Sequence, residues 1–146
     1  MVSSQPIAVV TRRPLRQTLM IVANACFIGT LLTDLNYWRT AEMMWTNFSA
    51  WLLFAGLVMG VLAVIAALID FFSGRLSRER GPVWPYLLGS LVVLVLSFFN
   101  SLVHSRDAWT SVVPTGLTLS AVTVIVLLIT GLMRWAGHRT RVEAVE

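Results

Sequence analysis

Any chemistry in this chain has to come from a short roster of side chains. The densest group is "LVHSRDAW", residues 102–109, which sets His104, Arg106 and Asp107 close together. An imidazole beside a carboxylate suits proton transfer, metal ligation or a surface pH response. Asp34, Arg39 and Glu42 form a second group within "TDLNYWRTAE", while Asp70 in "LIDFF" and Asn24 in "VANAC" stand alone in apolar surroundings.

None of these groups carries a complete signature. A histidine with carboxylates but no repeated ligand spacing gives no metal site. General acid–base catalysis needs a nucleophile or a paired carboxylate in a pocket, and the sequence marks neither, so no catalytic residue is assigned and the chain reads as no enzyme. Asp34, Arg39, Glu42, His104, Arg106 and Asp107 are therefore read as an outer-rim cluster. Asp34 or Glu42 would pair with Arg39 or Arg106, with contact to a small ligand or ion as the alternative.

The elements that must position these residues follow from composition. Of 146 residues, 57% are hydrophobic and 12% charged, with a mean hydropathy of +0.78. A soluble domain of this size could not hide so much apolar surface. An all-α membrane protein, a four-transmembrane-helix bundle, is expected instead. Its spans run about 17–35, 48–72, 83–103 and 112–135, each near the 20 residues that cross hydrocarbon and each helical so that backbone groups are satisfied. Residues 1–15 and 136–146 are tails, and Pro114 is placed in the first turn of the fourth helix.

All eleven basic residues are arginine, giving a net charge of +4. They flank the apolar runs rather than forming one stripe, so they indicate orientation and not nucleic acid. Arg12, Arg13, Arg16, Arg75, Arg78, Arg80, Arg134, Arg139 and Arg141 lie on one side, against Arg39 and Arg106 on the other. Nine against two puts both termini in the cytoplasm. The apolar run continues past Ala25 through "FIGTLL", which favours a retained first span over a cleaved signal peptide. The single Cys26 has no internal disulfide partner.

Helical periodicity sorts the remaining candidates. Gly56, Gly60, Ala63 and Ala67 share one side of the second helix, as a packing face within the bundle or a GxxxG dimer seam. Asp70 lies on that side and is matched in depth by Arg16 and Arg134, an inner ion pair. Ala25, Cys26, Gly29 and Thr33 share a side of the first helix. Tyr86, Ser90, Ser97, Ser101 and His104 share one on the third. Gly116, Ser120, Thr123, Thr130 and Gly131 share one on the fourth. Asn24 falls opposite Gly29 and is the candidate partner contact. His104 and His138 lie at opposite ends of the bundle, so this chain alone builds no bis-histidine haem, and no cofactor is assigned. The two hairpin connections also look like copies. Arg39–Thr40–Ala41 with Trp45–Thr46 matches Arg106–Asp107–Ala108 with Trp109–Thr110, which suggests a duplicated helical hairpin.

The strings "GTLLTDLNYWRTAEMMWTNFSAWLLFAGLVMGVLAVIAALIDFF" and "GPVWPYLLGSLVVLVLSFFNSLVHSRDAWTSVVPTGL", with the short loop between them, resemble the bacterial four-helix predicted membrane proteins of domain of unknown function 2231. The resemblance covers most of residues 15–135. It implies four spans in the inner membrane and supplies no activity. Members usually begin the first helix with a His-Pro and a "PFPI"-like stretch, where this chain has "LRQTLMIVANACF", so no site residue is carried from there. Asp34 and Asp70 match positions of acids in the family's pattern. The resulting expectation is an accessory or scaffolding subunit in the lipid bilayer, acting through a protein partner or as a homo-oligomer. The alternatives are a channel- or transporter-like protein with a polar path between helices three and four, or a redox-associated helper.

Overall fold

The computed structural model describes residues 15–73, 84–106 and 112–143. Four helices account for nearly all of them: α1 Leu15–Thr40, α2 Met43–Phe72, α3 Trp84–His104 and α4 Leu117–Glu143. Each is long and apolar enough to cross a membrane. The bilayer enforces this, because a spanning segment without water must satisfy its backbone internally. Large apolar side chains consequently face outward, among them Leu32, Trp51, Phe54, Leu91 and Leu128. They contact lipid.

The chain folds as two hairpins, α1/α2 and α3/α4, whose contacts close into a ring in which α1 also meets α4 and α2 meets α3. The hairpin end of the bundle holds the α1–α2 and α3–α4 connections; the terminal end holds the rest. Buried positions repeat between the hairpins at a spacing of 70 residues. Ala23, Phe27, Thr30 and Asp34 on α1 correspond to Val93, Ser97, Asn100 and His104 on α3. Thr46 and Leu53 on α2 likewise correspond to Gly116, just before α4, and Thr123 on α4. This register differs from the one obtained by matching Arg39 with Arg106, because burial follows the bundle axis and not the loop sequence.

Several local expectations are corrected. The polar stretch after Leu35 does not end α1, which continues to Thr40 and leaves only residues 41–42 before α2. Ala41 makes the reversal in a left-handed conformation (φ 55°), with its N–H donating to the Tyr37 carbonyl at 2.7 Å. That is the usual way a helix C-terminus satisfies a free carbonyl, though glycine is the usual residue there. Pro114 lies before the fourth helix, in an irregular turn over Val112–Gly116 where Val113 has extended angles (φ −117°, ψ 128°). On α1 the buried stripe passes through Ala23 and Phe27, leaving Ala25 exposed and Asn24 half-buried on the flank rather than facing lipid.

Small residues set the distance between helices. A Cβ on Gly56 would stand 2.6 Å from Phe27 Cε1, and one on Gly60 would collide with Leu94 of α3. Gly56, Gly60 and Ala63 are buried and Ala67 is half-buried, so this side of α2 packs inside the bundle. Ala23, Phe27, Leu53 and Val93 form the apolar core, flanked by Leu57, Met59, Leu94, Val126 and Leu127. Between this core and the hairpin end, the interior turns polar.

Candidate site: a buried carboxylate–imidazole cluster

Asp34 sits about six residues, roughly 9 Å, below the end of α1 and is fully buried. An unpaired carboxylate there would be costly, so its partners decide what it is. Among the described residues there are three, one from each of the other helices. Ser49 of α2 donates its hydroxyl to Oδ1 at 2.5 Å, and Ser120 of α4 donates to Oδ2 at 2.5 Å. His104, the last residue of α3, places Nε2 2.9 Å from Oδ1, with its side chain only 1% exposed.

Neighbouring side chains hold this arrangement. Asn100, one turn before His104, sends Nδ2 to Ser120 Oγ at 2.8 Å. Thr33 of α1 lies 2.7 Å from Ser49 Oγ. Towards the core, Thr30 and Thr123 turn their hydroxyls onto carbonyls of their own helices, Cys26 at 3.0 Å and Leu119 at 2.8 Å. Two buried oxygens on α3, Asn100 Oδ1 and Ser97 Oγ, have no hydrogen-bond partner among the described residues.

Proton bookkeeping narrows the chemistry. His104 Nδ1 lies 3.0 Å from the Asn100 carbonyl, which can only accept, so Nδ1 carries a hydrogen. The Nε2–Oδ1 contact then holds one further proton, drawn either as carboxylate with imidazolium or as carboxylic acid with neutral imidazole. Either way the pair has no net charge, which suits an apolar interior. The serines bond the carboxylate and not the imidazole. A nucleophilic triad needs a hydroxyl on the imidazole instead, with the carboxylate on the ring's other nitrogen.

The rim residues read from the sequence are thus divided. Asp34 and His104 come together inside the bundle, across 70 residues of chain. Arg39, Glu42 and Arg106 are exposed at the hairpin end, and Asp107 lies outside the described residues. Asp34 was expected to pair with Arg39 or Arg106. Its extra turn and a half of helix takes it below them, and hydroxyls and imidazole fill its acceptor positions. Asp70 and Arg16 are half-buried towards the terminal end, where each makes an interaction. The Arg134 side chain lies outside the described residues. Among the described residues, no group of three or more His, Cys, Asp or Glu is placed to hold a metal.

Ser49 and Asn100 were not singled out by the sequence. Asn100 left a signal, an amide four residues before a histidine inside an apolar helix. Ser49 left none, because a lone serine at the edge of the expected span 48–72 is unremarkable.

The family model described as a predicted membrane protein (DUF2231) matches residues 12–143. No curated protein and no solved structure matches the chain.

Proposed function

Because the chain belongs to the family of predicted membrane proteins defined by domain of unknown function 2231, we propose that it is a small non-enzymatic subunit of the bacterial inner membrane, acting through protein partners. The observation that carries this reading is the wiring of Asp34, whose carboxylate bonds one side chain from each of the other three helices. Such a clasp serves to hold two hairpins as one rigid body. Rigidity favours a scaffold, since less freedom is lost when a partner docks. Both serines are committed to the carboxylate, which further supports a role without covalent chemistry.

The channel-like alternative draws less support. Buried polar side chains occupy the hairpin half of the bundle, from Thr46 and Ser49 down to Ser97 and Thr123. At the level of Ser97 and Thr123 the interior already holds Phe27 and Leu53, which with Ala23 and Val93 form the apolar core. Among the described residues, this apolar core favours a closed interior over a through-path.

The test is mass spectrometry of what co-purifies with the full chain from its native membrane in mild detergent. A stoichiometric second protein or a second copy of this chain is expected. Recovery of the lone monomer under every gentle condition would overturn the proposal.

A further inference from the structure

The clasp is neutral with one proton in the Asp34–His104 contact, and its surroundings are built to take another. Asp34 Oδ1 is crowded, facing both Ser49 and His104, whereas Oδ2 meets Ser120 only among the contacts of this cluster. Ser120 has a single hydroxyl hydrogen, and it points at Oδ2. The contact from Asn100 must therefore come from its NH2, which fixes the amide with Oδ1 turned away. That oxygen is a buried acceptor with nothing to accept, a state that costs free energy and that native structures rarely keep without a use.

We propose that Asp34, His104, Ser120 and Asn100 form a proton-binding site that holds one proton at rest and binds a second on Asp34 Oδ2. The proton comes from hydronium at the hairpin end, where α3 ends at His104, and leaves water behind. The new Oδ2–H donates to Ser120 Oγ. The Ser120 hydroxyl turns over, and the Asn100 amide rotates to present Oδ1 as its acceptor. The orphan acceptor thereby gains its partner. The site passes from neutral to a single positive charge.

Other groups near the pair leave this assignment intact. α2 faces it with Ser49 and α4 with Ser120, neither of which exchanges charge in the biological range. On α1, Tyr37 is one turn further towards the hairpin end and Cys26 lies two turns below. Arg39, Glu42 and Arg106 are exposed. The proposal holds whether or not a partner is bound, so it stands or falls separately from the scaffold reading.

Acid-minus-neutral difference infrared spectroscopy of the full chain in lipid nanodiscs tests it. A protonated-carboxyl band should appear on acidification, and the part due to Asp34 should be missing in Asp34→Asn, which leaves only what the six other carboxylic side chains contribute. Isotope-labelled asparagine should show a side-chain amide band that shifts in the same spectrum. Ser120→Ala should keep the carboxyl band and lose the amide shift, as should Asn100→Leu. A carboxyl band identical in Asp34→Asn and in the unmodified chain would overturn the proposal, as would its absence in the unmodified chain. An asparagine band that stays still in the unmodified chain would overturn it equally, so the test survives any variant that fails to fold.

Discussion

At the scale of single residues, the fold turns on how Asp34 is satisfied. Removing one partner of a buried pair leaves uncompensated polar groups, a loss of about 3–5 kcal/mol. Asp34→Ala would orphan Ser49, Ser120 and His104 together, and that full loss is expected. Asp34→Asn keeps the shape and one acceptor oxygen, but a neutral imidazole cannot then donate from both ring nitrogens. It should forfeit about one to two hydrogen bonds, each worth roughly 0.6–1.7 kcal/mol in a membrane. Reversible unfolding in bicelles measures both, and equal losses would show that the cluster does not act through the carboxylate's acceptors. The pairing behind this order could not be read from sequence. Asp34 and His104 were both visible as candidates, but they stand 70 residues apart. Nothing local specifies which turn of α1 meets the end of α3.

At the scale of elements, four helices were legible because hydrophobic length alone requires them, whereas their ends were not. Hydropathy marks where lipid stops, and α1 runs five residues past Leu35 in polar sequence before Ala41 reverses it. Misplacing that end put Asp34 on the rim. The reversal also predicts a gain: a non-glycine residue at φ 55° carries roughly 1–2 kcal/mol of strain. Ala41→Gly should therefore raise the unfolding midpoint, and an unchanged or lower midpoint would mean that the left-handed turn is not formed. The glycines of α2 and α4 make the opposite comparison. Gly56→Ala drives a Cβ to 2.6 Å from the Phe27 ring and should cost about 1–3 kcal/mol. Gly131→Ala meets nothing within 4 Å and should gain up to about 1 kcal/mol from helix propensity. The same unfolding assay separates the two. Similar effects at both positions would contradict the packing of α1 on α2.

At the scale of the whole molecule, orientation decides which compartment the clasp faces. The two-residue connection between α1 and α2 fixes them as an antiparallel pair, so Glu42 and Ser73 mark opposite ends of α2. Those ends are about 45 Å apart, enough to span a bilayer. Arg75, Arg78 and Arg80 follow Ser73, whereas the hairpin end carries Arg39 and Arg106, so the charge bias predicts Ser73 on the cytoplasmic side and Glu42 on the other. A Cys26→Ala background, which removes the chain's only thiol, lets single cysteines report this. Both positions are exposed, so reagent access reflects the membrane rather than the fold. In intact cells a membrane-impermeant maleimide should label Glu42→Cys directly and Ser73→Cys only after permeabilisation. The reverse pattern would turn the molecule over. The clasp would then open to the cytoplasm, and the proton reaching Asp34 would report metabolism inside the cell rather than acidity outside it.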